Sequence, residues 1–389
     1  MTERTDSDTR NLVHDGEPST IPFPNATLRA RSKPGRRGSA GTSAQSRTTV
    51  RAAVKLIHPF RTQAVSIVQA MQAVVTAQGR IAPLPIELDS IAAIQRHLLE
   101  LPEPLVVPDR TLPSDLVTVL PDPLTRRETI RILTLLPILD QDVVAPKVAV
   151  VEQAARQLGV ADHGLVLLRQ ALKRQHRRMG TSMMMRSVAH YWSPTGRARL
   201  RDWLDMARIM MPTIPGLYSV LTDKALLARY QALGLMPPTT LGYALHDFYV
   251  RRGFPLPGEP KSFPEGWGKH EVYHVLSEYE TSLAGEMLNA AFSGGNTDYL
   301  CMDLLMATLL QFHAGRQVLP GPCPRGMLEP DSFFRAVARG AAMNVDLLKD
   351  WSLWSVVNRP LDALRAEFQI PPLNEGERQA LTAAGALIA

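Results

Sequence analysis

The sequence predicts an all-α fold: two helical domains behind a disordered basic N-terminal tail. Apolar residues recur at three- and four-residue spacing over most of the chain after Lys55. No alternating strand pattern of useful length interrupts them. The chain has 389 residues, which is long for one domain and natural for two.

Residues 1–55 are expected to be disordered. The run RARSKPGRRGSAGTSAQSR is rich in Arg, Ser and Gly and has almost no large apolar side chain to offset its ordering entropy. Ten Lys/Arg face five Asp/Glu in this tail, so five of the chain's six net positive charges sit there. The basic character therefore says little about the folded part. A tail leaning on anionic lipid or nucleic acid is one reading. With no aromatic residues interleaved, a solvated extension is the simpler one, and nucleic acid is not an expected partner.

Residues 56–185 are expected to form the first helical domain. RTQAVSIVQAMQAVVTAQG reads as a helix ending by Gly79, and PIELDSIAAIQRHLLE as the next. LTRRETIRILTLLPILD and APKVAVVEQAARQLG read as a second pair, closing at Gly159. Each pair is an apolar helix, a short polar loop and a helix with an early proline, a weak repeat of helical hairpins. HGLVLLRQALKRQHRRMG (163–180) reads as one amphipathic helix, with Arg169, Lys173, Arg174, Arg177 and Arg178 on its later turns, where cations suit the helix dipole. Contact with an anionic membrane surface is the alternative use of those charges. Met183, Met184 and Met185 read as core filling. Residues 181–215, with Pro194, Pro212 and Pro215, read as the junction.

Cys301 and Cys323 make no disulfide framework, which suggests a reducing compartment. No stretch of 18 apolar residues lacks charge. The first 25 residues have no apolar core of the secretory type, and Glu3, Asp6, Asp8, Asp15 and Glu17 argue against a mitochondrial transit peptide. A cytoplasmic location is the expectation.

The chemistry concentrates in GWGKHEVYHVLSEYETSLAGEMLNAAF, residues 266–292. His270 and His274 are four residues apart, so a helix places both imidazoles on one face, able to grip one metal ion. Glu286 follows His274 by twelve residues. On one straight helix that is a rise of about 18 Å, too far to share the ion. Glu286 is a ligand only if the helix breaks near Thr281–Ser282, where Thr and Ser are good N-caps. His-Glu-x-x-His also suggests a zinc peptidase with Glu271 as general base. The extended peptidase motif needs Gly and His where Ser277 and Glu280 stand. Two histidines without a metal role remain a third reading.

Two family resemblances follow from these residues. Asp140, Asp142 and Glu152, in the second hairpin, resemble the acidic loop of the tellurite-resistance TerB-like helical family over roughly residues 60–180. The first hairpin has Gly79 and Ile81 but lacks the aspartate. The second resemblance spans roughly residues 215–372. His270-Glu271-x-x-His274, eleven residues and Glu286 is similar to the His-Asp-x-x-His…Glu signature of the ubiquinone (coenzyme Q) biosynthesis protein Coq-four family, with Glu271 in place of Asp. Pro237-Pro238-Thr239-Thr240-Leu241-Gly242-Tyr243 through Phe248 resembles the family's upstream stretch, with Thr239 in place of Gly. His274-Val275-Leu276, Gly285-Glu286, Gly340, Trp351 and Pro360 through Ile370 resemble its later motifs.

That resemblance implies an all-α domain over 210–375, peripheral on the inner membrane, serving ubiquinone biosynthesis. It implies a divalent metal ion on His270, His274 and Glu286, for which zinc is a candidate, and Glu271 as a further ligand or catalytic base. The implied activity is oxidative decarboxylation of the ring of a polyprenylated quinone precursor; the alternative is a scaffold that binds lipid and other quinone-biosynthesis enzymes without chemistry of its own. LCMDLLMATLLQF (300–312) would then line a slot for the isoprenoid tail. A homodimer is among the expected partners.

Overall fold

The computed structural model describes residues 58–188, 199–200, 203–204, 223–260, 262, 265–349 and 351–388. The expected disordered tail, 1–55, and Pro194, Pro212 and Pro215 lie outside the described residues. The described residues form fifteen α-helices and no strand, as the periodicity predicts. No helix among them is long and apolar enough to cross a membrane.

The first hairpin is α1 (Arg61–Val75) and α2 (Pro85–His97). Between them Ala77, Gln78 and Gly79 take left-handed backbone conformations. After a short α3 (Leu116–Val119), the second hairpin is α4 (Pro123–Leu135) and α5 (Ala145–Leu158). Asp122 caps α4 by accepting from the Thr125 amide, and left-handed Gly159 closes α5.

One expectation fails here. Residues 163–180 are two helices, α6 (His163–Leu172) and α7 (His176–Ser187). The break falls at Lys173–Gln175, where Arg174 has φ 54°. It turns the chain so that Met179, Met183 and Met184 enter the core, while Met185 stays 47% exposed. Arg177 and Arg178 therefore lie in the first turn of α7, and the dipole argument holds only for Arg169 and its neighbours at the end of α6.

The acidic loop of the second hairpin is used for ion pairs. The buried Lys147 ammonium donates to Glu87 at 2.5 Å and Asp140 at 2.8 Å. Asp142 pairs with Arg316, and Glu152 accepts from Arg169 at 2.6 Å. Each carboxylate answers its own cation.

The second half comprises α8 (Lys224–Leu233), α9 (Leu241–Arg251), α10 (Gly268–Ser277), α11 (Leu283–Asn296), α12 (Cys301–Thr308, continued by a π turn to His313), α13 (Pro330–Ala341), α14 (Leu361–Glu367) and α15 (Glu375–Ala383). α11 and α13 pack with backbones nearly touching. A Cβ on Gly340 would stand 1.9 Å from the Phe292 carbonyl oxygen, and one on Gly295 2.0 Å from that of Val337. Only glycine permits this approach.

Helices of both halves share one hydrophobic core. α2 packs on α13, and α12 packs on α4 and α6. Residues 300–312 are core here, with all but Leu304 and Phe312 buried. Across the same contact the buried Arg131 guanidinium reaches Glu128 (3.2 Å), Asp162 (3.1 Å) and Asp298 (2.7 Å), so its charge is fully answered.

Candidate metal centre

The site is built by a helix that stops early. α10 ends at Ser277 because Glu278 turns left-handed, φ 71°. Several groups hold this non-glycine conformation in place. Arg378 pairs with the Glu278 carboxylate, the Ile388 amide donates to the Glu278 carbonyl, and the Glu280 amide donates to the Ala386 carbonyl. The carbonyls left without partners at the end of α10 are taken by arginines. Arg365 donates to Val275 (2.8 Å) and Leu276 (3.2 Å), and Arg339 to Ser277 (3.1 Å). Cationic donors there suit both the unpaired oxygens and the helix dipole.

The chain then restarts. Ser282 caps α11, its hydroxyl accepting from the Gly285 amide at 3.1 Å. Gly285 fits against the preceding turn only without a side chain, since a Cβ would lie 1.9 Å from the Glu280 carbonyl oxygen. Glu286, next in line, thereby sits in the first turn of α11 beside the two histidines of α10.

His270 Nε2 and His274 Nε2 are 3.2 Å apart. Glu286 reaches the first at 3.3 Å and the second at 3.4 Å. These are the separations that ligand bonds of about 2.0–2.1 Å subtend around a tetrahedral ion. The histidine tautomer also fits: His274 Nδ1 lies 2.8 Å from the Tyr279 carbonyl, so this nitrogen carries the proton and Nε2 is left with a lone pair. Phe248 stacks on the His274 ring at 5.5 Å, and the Arg252 guanidinium lies over the Phe248 ring, 4.0 Å from its centre, while pairing with Glu280. His274 is fully buried; His270 and Glu286 keep 27% and 30% of their side chains exposed, so the centre opens to solvent on their side.

Charge follows geometry. Burial works against protonated His270, yet the Glu286 carboxylate, with Glu271 behind it, outweighs that and raises its pKa to about 9. Burial likewise opposes the Glu286 charge, and the two imidazoles overcome it, holding this carboxyl far below the usual carboxylate range. Glu271 is different: burial pushes its carboxyl up, only partly offset by the nearby histidines. Among the described residues His270, His274 and Glu286 are the group able to hold an ion. Glu271 stands outside it, buried on the neighbouring face of α10.

The i, i+4 spacing put the two histidines on one face; Glu286 joined them only on condition of a helix break near Thr281–Ser282, and the structure has a break there, between Ser277 and Leu283. The spacing did not point to the Tyr279 carbonyl, Arg252, Arg339 or the C-terminal segment 386–388. Those contacts join residues far apart in sequence, and only Phe248 and Arg365 carried a signal, through the family-like stretches around them.

No protein-family model matches the chain, and no curated protein matches it.

Proposed function

We propose that this protein binds one divalent metal ion on His270, His274 and Glu286 and serves ubiquinone biosynthesis, acting on or presenting a polyprenylated quinone precursor. The observation that carries this reading is the break at Glu278–Ser282, which closes a His-x3-His-x11-Glu spacing into a two-nitrogen, one-carboxylate set with donors 3.2–3.4 Å apart. Such a set suits zinc and leaves room for a further ligand. A bound ion supplies Lewis acidity toward a ring carboxylate or hydroxyl. The chain's own groups orient it: the Tyr279 carbonyl fixes the His274 tautomer, Phe248 holds its ring, and Arg252 with Glu280 fastens α9 to the turn. Glu271 is placed in this reading as a catalytic acid or base beside the ion. Peripheral contact with a membrane and with other enzymes of the pathway belongs to the same proposal.

The test is to purify the protein and its His274→Ala variant, determine metal by elemental analysis and extract bound lipid for mass spectrometry. The reading expects about one divalent ion per chain and a prenylated quinone or precursor in the wild type, with the metal lost in the variant. Neither metal nor prenylated aromatic in the wild type would sink it.

A further inference from the structure

The turn that brings Glu286 to the two histidines is one that its own residues disfavour. Glu278 stands at φ 71°, where the side chain of an L residue crowds the following carbonyl oxygen. What offsets this comes from residues 378–388. The Arg378 guanidinium reaches both oxygens of the Glu278 carboxylate, at 3.1 and 3.3 Å. The Ile388 amide donates to the Glu278 carbonyl at 2.9 Å, and the Glu280 amide to the Ala386 carbonyl at 2.8 Å. Between these two bonds Tyr279 and Leu387 face each other as an antiparallel bridge. The Ser282 hydroxyl donates to the Gly385 carbonyl at 2.5 Å. Residues 385–388 thus run beside the whole break, Glu278–Ser282.

Two features of the metal centre hang on this contact. Tyr279, whose carbonyl takes the His274 Nδ1 proton, is the residue paired with Leu387. Glu286 enters through a first turn in which its amide donates to the Ser282 carbonyl at 2.7 Å, and Ser282 is itself tied to Gly385. The segment that does this is lightly anchored. Among residues 374–388 only Leu381, Ala386 and Leu387 are buried, and residues 382–385 are exposed. Little buried apolar surface and an exposed backbone mark a segment that opens at low cost. Once it leaves, Glu278 has nothing to offset its backbone conformation. A right-handed Glu278 continues α10 toward Ser282 and carries Glu286 along the helix axis, away from both imidazoles.

We propose that residues 385–388 are a detachable strap that forms the metal centre: docked, they impose the turn at Glu278; released, they separate Glu286 from His270 and His274. This rests on the metal reading above and adds its control. Metal and strap favour the same conformation, so each strengthens the other by the same factor.

Zinc affinity is measured by competition with a chromogenic chelator in the full chain, in a chain lacking residues 385–389, and in each with Glu278→Gly. The deletion is expected to weaken zinc binding roughly 10-fold or more, the ratio that a left-handed non-glycine residue implies. Glycine adopts φ 71° freely, so Glu278→Gly is expected to leave the full chain near wild-type affinity and to restore most of the loss in the shortened one. Leu387→Asp, which undocks the strap in a full-length chain, is expected to match the deletion, and replaces it if the shortened chain does not fold. Zinc is expected in turn to slow trimming of the segment by a serine carboxypeptidase. Affinity unchanged by deletion and by Leu387→Asp would overturn the proposal. So would a loss that Glu278→Gly does not restore, which marks the strap as packing alone, or trimming at one rate with and without zinc. If the full chain takes up no zinc, the metal reading falls by itself. The strap is then judged by hydrogen exchange at the Glu286 amide, which the deletion is expected to speed and Glu278→Gly to slow again; exchange unchanged by the deletion would overturn it.

Discussion

At His270 the same carboxylate that would share a metal ion holds a proton when none is bound. The folded imidazole titrates at about 9 and the unfolded one near 6.5. Its pairing with Glu286 therefore stabilises the metal-free fold fully below pH 6.5, and this stabilisation is lost as pH rises through 9. Metal must displace that proton. Calorimetry of zinc uptake in buffers of different ionisation enthalpy is expected to show release of about one proton at pH 7.5, falling toward none near pH 10. Uptake at pH 7.5 without proton release would show that His270 is not a ligand. The residue identities here were legible in the sequence because i, i+4 spacing fixes a helical face. The tautomer was not, since the acceptor for His274 Nδ1 is a backbone carbonyl, which every residue carries and no motif announces.

The decisive element is the junction of α10 and α11, Glu278–Ser282. Its restart was readable from Ser282, whose hydroxyl does cap α11. Its stop was not, because Glu278 is not a residue type that favours φ 71°; Arg378 and the C-terminal segment impose it. The missed break at Lys173–Gln175 has the same origin. Nothing in Lys-Arg-Gln ends a helix, and burial of Met179, Met183 and Met184 decides where the chain turns. The junction can be attacked at Gly285. Gly285→Ala forces a methyl into the Glu280 carbonyl and is expected to cost about 1–3 kcal/mol and to lower zinc affinity, because Glu286 moves with the turn. Ser282→Ala is expected to cost about 1 kcal/mol and to keep zinc. Denaturant unfolding with a parallel zinc titration checks both; a Gly285→Ala protein with wild-type stability and affinity would contradict this account of the junction.

Across the whole molecule, the all-α class was legible from periodicity alone. The partnership of the helices was not. A repeat of three and four tells that a face is buried but not against what, so the packing of α2 on α13 and of α12 on α4 and α6 had no signature. Arg131 shows why: its partners Asp162 and Asp298 come from opposite halves of the chain, and each alone reads as a surface carboxylate. The same limit hid α15 and residues 386–388, which brace the metal centre from the far end of the sequence.

The central claim is that α10 and α11 together offer two imidazoles and one carboxylate to a single ion. X-ray absorption at the zinc edge, on wild type, His274→Ala and Glu286→Gln, tests it most directly. The account predicts a first shell at about 2.0–2.1 Å with the scattering of two imidazoles in the wild type, one imidazole in His274→Ala, and two with a weakened oxygen shell in Glu286→Gln. A shell without imidazole, or one identical in all three proteins, would contradict it.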